Sequence, residues 1–75
     1  MDTRDAIAHM MGQDGKSAYA TSMAMGERHS YVTSILRRKG LVSAPVLADV
    51  ARACGYRLQL TGHGETIDID GRPTG

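Results

Sequence analysis

Hydrophobic positions along the chain follow two periods. Up to about residue 55 they recur at helical spacing, and from Tyr56 to Asp70 they alternate with polar ones. Ile7, Met10 and Met11 stand at i, i+3 and i+4. They predict a first helix from about Asp2 to Met11, with Asp2 or Thr3 as its cap and the Gly12-Gln13-Asp14-Gly15 run as its stop. A second helix is predicted from Ser17 to Met25. Ser17 is its N-cap, alanines fill its interior, and Gly26 closes it in a left-handed conformation. A third is predicted from about Arg28 to Arg38, with Tyr31, Val32, Ile35 and Leu36 on its apolar face and Gly40 as its stop. Ser43 and Pro45 open a fourth, with Val46, Leu47, Val50, Ala51 and Cys54 as its buried stripe and Gly55 at its end. The alternation in Tyr56–Leu60 and Thr66–Asp70, separated by turn chemistry from Thr61 to Glu65, predicts a β-hairpin. Its apolar face is Leu58, Leu60, Ile67 and Ile69.

The expected fold is therefore mainly α: four helices over residues 1–55, a C-terminal β-hairpin over 56–70 and a flexible tail over 71–75. Composition narrows the function. The 75 residues make one small domain with no Trp and no Phe, so aliphatic side chains and methionines must build the core, the Met10, Met11, Met23 and Met25 group included. There is no room for a deep substrate cavity. The single cysteine excludes a disulfide scaffold, and no apolar run approaches the roughly 20 residues of a membrane span. The N-terminus lacks the apolar core of a signal peptide, so a cytoplasmic location is expected.

Net charge is only +1, but it is unevenly spread. Residues 16–39 carry Lys16, Arg28, Arg37, Arg38 and Lys39 against Glu27 alone, whereas Glu65, Asp68 and Asp70 make the hairpin acidic. A basic middle suits an anionic partner. Enzyme motifs fail. Gly15-Lys16-Ser17 looks like the end of a phosphate-binding loop but lacks its first glycine, Met10 standing there. Asp68-Ile69-Asp70-Gly71 lacks the rest of a calcium loop. His9, His29, His63 and Cys54 have no ligand-like spacing, and Cys54 reads as a small core residue. No enzyme activity, cofactor or metal is expected.

Two short helices joined through Gly26, the second richer in bases and short polar side chains, make a helix-turn-helix pattern. Such a unit reads DNA by burying one face of its second helix and laying the other in the major groove, where hydrogen-bonding side chains reach base edges. Val32 and Ile35 suit the buried side. Arg28, His29, Ser30 and Ser34 suit base reading. Lys16, Ser17, Tyr31, Thr33, Arg37, Arg38 and Lys39 suit phosphates.

From about residue 3 to 60 the chain resembles the lambda-repressor-like (Cro/repressor, XRE-type) helix-turn-helix regulators. The resemblance rests on Ser17 through Gly26 as the second helix and its turn, on Val32 and Ile35 six and nine residues after the glycine, and on Ser43 through Gly55 as the following helix. It implies that base-reading positions fall two, three, four and eight residues after Gly26, at Arg28, His29, Ser30 and Ser34. The chain departs from the family at Thr21 and Ser22, where Leu and Ala are usual, at Glu27 (usually aliphatic) and at Arg28 (usually a Ser or Thr cap).

The expected function is a small phage- or bacterial-type repressor binding double-stranded DNA. It is expected to be a homodimer that pairs through Leu58, Leu60, Ile67 and Ile69 and occupies a partly palindromic operator. The alternative is an antitoxin-like or adaptor module in which the acidic hairpin faces a protein partner. No membrane association is expected.

Overall fold

Asp2 starts the first helix. Its carboxylate accepts a hydrogen bond from the Asp5 backbone N–H at 2.8 Å, and that bond holds its pKa below the ordinary value. A folded pKa lowered in this way means the cap contributes above the usual carboxylate range and is lost as pH falls through the lowered value.

The computed structural model describes residues 2–38 and 42–71. Over them run α1 (Thr3–Asp14), α2 (Ala18–Ala24), α3 (Tyr31–Arg37), α4 (Ala44–Ala53), β1 (Leu58–Gly62) and β2 (Glu65–Ile69). The fold is mainly α, four helices followed by a two-stranded antiparallel hairpin. No helix among the described residues is long and apolar enough to cross a membrane. Lys39, the Gly40 stop and residues 72–75 of the expected tail lie outside the described residues.

Several predicted boundaries move. α1 does not end at Met11 but continues through Gly12, into the expected stop, as far as Asp14. Nothing lies within 4 Å of where a Gly12 side chain would be, and a glycine on an open helix surface weakens a helix by about 1 kcal/mol without ending it. Closure falls instead at Gly15, where the Gly15 and Lys16 N–H groups reach back to the Gly12 and Met11 carbonyls. Gly26 closes α2 by the same pair of bonds, from its own N–H to Met23 and from Glu27 N–H to Ser22, with φ at 74°. Gly55 repeats the arrangement after α4.

α3 begins three residues later than the pattern predicts. Arg28, His29 and Ser30 form a turn in which Tyr31 N–H bonds the Arg28 carbonyl at 3.0 Å.

The core gathers Ile7, Met10 and Met11 of α1, Val32 and Ile35 of α3, and Val50, Ala51 and Cys54 from α4 and its end. Met25, Tyr31, Leu36, Val46 and Leu47 pack partly buried around it. Met23 departs from the expected methionine core: it is 54% exposed, on the outer side of α2. The inner side of that helix is polar, because Thr21 and Ser22 are both fully buried.

The hairpin keeps the predicted face. Leu58 pairs with Ile69 and Leu60 with Ile67, so all four point to one side, while Gln59 and Asp68 bond across the other at 2.6 Å. Its turn is tighter than predicted. Thr61, Gly62 and Glu65 belong to the strands, leaving the two-residue turn His63-Gly64 with positive φ at both positions, the geometry that matches strand twist. Leu58 and Ile69, at the base beside α4, are half-buried. Leu60 and Ile67, nearer the turn, are 58% and 47% exposed.

Candidate nucleic-acid interface

α2 and α3 pack on each other, and one serine sets how they meet. The first N–H groups of a helix lack partners within it. Ser30, the residue before α3, makes no side-chain cap. Ser22 supplies the bond from the neighbouring helix: its Oγ accepts the buried Val32 N–H at 3.0 Å and donates to the Ala18 carbonyl at 2.7 Å. Ser22 thus ties the start of α3 to α2.

With Val32 and Ile35 turned into the core, the opposite side of α3 is left to Ser30, Ser34, Arg37 and Arg38, all exposed. Positions 30, 34 and 37 share one helical stripe. Arg28 and His29, exposed in the preceding turn, extend it toward α2. Arg28, Arg37 and Arg38 make no ion pair among the described residues, so this basic surface is not neutralised from within. The Ser34 hydroxyl donates to the Ser30 carbonyl at 2.9 Å, which spends its proton and leaves its lone pairs to accept. Thr33 is half-buried, and so is Tyr31, packed against the core.

Two residues expected at phosphates are engaged elsewhere. Lys16 Nζ donates to the Ala53 carbonyl at 3.0 Å and pairs with Asp14 at 3.2 Å, placing a cation at the carbonyl end of α4. The Ser17 Oγ accepts the Ala20 N–H at 3.1 Å and caps α2. Lys16→Met keeps the aliphatic stem and removes the charge. It is expected to cost about 0.5–1 kcal/mol, seen as a lower urea midpoint with an unchanged slope. An unchanged midpoint would make the contact energetically idle.

One residue of this surface was not evident from the sequence. Tyr19 is 60% exposed on α2, and its ring centroid lies 5.8 Å from that of His29, tilted by 36°. The apolar spacing of α2 gives no reason for an aromatic to face outward, and the contact joins residues ten positions apart.

Cys54 is buried in the core. Burial pushes its thiol pKa up and Asp14 adds to the rise, against smaller opposing effects of the Thr21 hydroxyl and Lys16. A groove of about 410 Å³ opens between α4 and the hairpin. Arg52 and Arg57 line it together with Asp68 and Asp70, so it favours neither charge sign.

Comparison with protein-family models, with curated proteins and with solved structures finds no match to this chain.

Proposed function

We propose that the protein is a sequence-specific DNA-binding regulator of the lambda-repressor-like helix-turn-helix kind, with α3 and the turn before it as its reading element. One observation carries this reading: the exposed stripe of Arg28, His29, Ser30, Ser34, Arg37 and Arg38 lies opposite the buried Val32 and Ile35, with none of its arginines ion-paired among the described residues. Such a surface meets both demands of major-groove binding, hydrogen-bonding groups at the start of the helix and cations beyond it. Phosphate contacts fall to Arg37 and Arg38, since Lys16 and Ser17 are engaged within the fold.

The test is selection from random duplex DNA at about 100–150 mM salt, where non-specific binding is already weakened. Enrichment of a motif supports the reading, and inverted half-sites in it support a dimer. Recovery of no motif would overturn it.

The dimer contact is assigned to the hairpin. Leu60 and Ile67 form a cross-strand apolar pair left exposed beyond the part of the hairpin that meets α4. A twofold contact through this pair would bury it in both copies. Leu60→Asp combined with Ile67→Asp is expected to halve the mass measured by light scattering and to weaken binding to a two-half-site duplex. A wild-type protein already monomeric at working concentration removes the assignment. The same exposed pair, on a strand bearing Glu65 and Asp68, favours a second reading in which an antitoxin-like or adaptor module meets a basic protein partner. That reading predicts that a basic protein partner binds the wild type and not the Leu60→Asp/Ile67→Asp variant.

A further inference from the structure

We propose that Tyr19 is a positioning residue for His29, holding the imidazole so that it meets one base edge in a fixed orientation. The inference rests on the DNA-binding reading above and adds a specificity determinant to it. Three observations meet at this pair. Tyr19, one of only three aromatic residues in the chain, is 60% exposed on α2 rather than packed in an aliphatic core. Its ring sits 5.8 Å from the His29 imidazole, within the range of favourable aromatic pairs. His29 itself stands between Arg28 and Ser30 in the turn that leads into α3, the section of the surface nearest the start of the reading helix.

The physical effect is pre-organisation. An exposed side chain in a turn samples several rotamers and must give up that freedom on docking, whereas one already held against a rigid ring gives up less. A tyrosine suits the task because it has only two side-chain torsions and presents a flat face. The backbone beneath is fixed on both sides of the contact. Ser17 caps α2 two residues before Tyr19, and the Ser22–Val32 bond ties α2 to α3 just beyond His29. The ring pair therefore joins two anchored segments, and the direction it gives the imidazole carries over to the groove. Since an imidazole both donates and accepts, orientation decides which base edge it matches.

The experiment measures affinities of wild type, Tyr19→Ala, Tyr19→Phe, His29→Ala and the Tyr19→Ala/His29→Ala double variant. The probes are the best duplex from the selection and each of its single-base-pair substitutions. Tyr19→Ala is expected to lose about two- to tenfold on the best duplex. The loss should disappear on the base-pair substitution that also abolishes the effect of His29→Ala. Tyr19→Phe, which keeps the ring, should bind as wild type. The double variant should bind no worse than His29→Ala alone, the mark of coupled residues.

Independent, additive losses would overturn the inference, and so would an equal Tyr19→Ala loss on every sequence, which would make the tyrosine a phosphate contact in its own right. A Tyr19→Ala protein that binds as wild type would also overturn it while leaving the DNA reading in place. A wild type that enriches no motif removes both. Thermal melting of each variant separates these outcomes from a folding defect, which an exposed side chain is not expected to cause.

Discussion

Ser22→Ala and Thr21→Val are expected to change stability in opposite directions, although the two residues are neighbours and both fully buried. Ser22 makes two hydrogen bonds, one of which satisfies the buried Val32 N–H. Alanine would leave that donor without a partner in the first turn of α3, where no carbonyl of the helix itself can reach it. Orphaning a buried backbone group costs about 1–3 kcal/mol. In a domain of 60–100 residues each kcal/mol shifts the melting temperature by about 4–8 °C. Thr21 is the reverse case. Its Oγ1 is buried and makes no hydrogen bond of good geometry among the described residues, although it lies close enough to Cys54 to influence the thiol. Valine has nearly the same shape and removes the hydroxyl, with an expected gain of about 1 kcal/mol. Melting of the two variants checks the pair of signs. A Thr21→Val protein that melts lower than wild type would show the hydroxyl to be well bonded after all, and a neutral Ser22→Ala would show that Val32 N–H finds water or another acceptor.

At these two positions the fold rests on contacts that local sequence does not encode. The structure gives Ser22 a tertiary role that pairs it with a backbone group ten residues away, and no local pattern reports such a bond. What local chemistry governs was legible: the Ser17 cap, Asp2 as one of two candidate caps, Gly26 as a left-handed stop, Gly55 as the end of the fourth helix, the Val32–Ile35 burial and the apolar face of the hairpin. Within the Gly12-Gln13-Asp14-Gly15 stop it is the last glycine that ends α1, because a glycine stops a helix only where the chain also turns, and the closing bonds form at Gly15 and Lys16. No breaker separates Arg28 to Ser30 from Tyr31, so their sequence looks like a first helical turn, yet the chain must still recover its direction after the left-handed Gly26. Tyr19 and Met23 stand four residues apart, the spacing of one helix face, and spacing alone does not say whether that face looks inward or outward.

The later start of α3 sharpens what is expected of Arg28. As the first residue of a helix it would point back along the axis. In the turn, with its carbonyl bonded to Tyr31 N–H, it precedes the helix as an exposed side chain with no ion pair among the described residues to break first. A guanidinium so placed suits the paired acceptors of a guanine. Arg28→Ala is expected to cost about 1–3 kcal/mol on the best duplex, a loss of roughly five- to 150-fold, and far less on a duplex altered at the base pair it reads.

Arg37 and Arg38, at the other end of α3, are the internal comparison. Alanine at either should weaken binding by a similar factor on every sequence and reduce the salt slope by about 1. Affinity measured on matched and altered duplexes at two salt concentrations separates the two behaviours. Should Arg28→Ala instead lose equally on all sequences with a shallower salt slope, Arg28 joins the phosphate contacts, and base reading passes to His29, Ser30 and Ser34. Should none of the three arginines alter binding to a selected duplex, the contact surface lies elsewhere on the molecule and α3 is not its reading element.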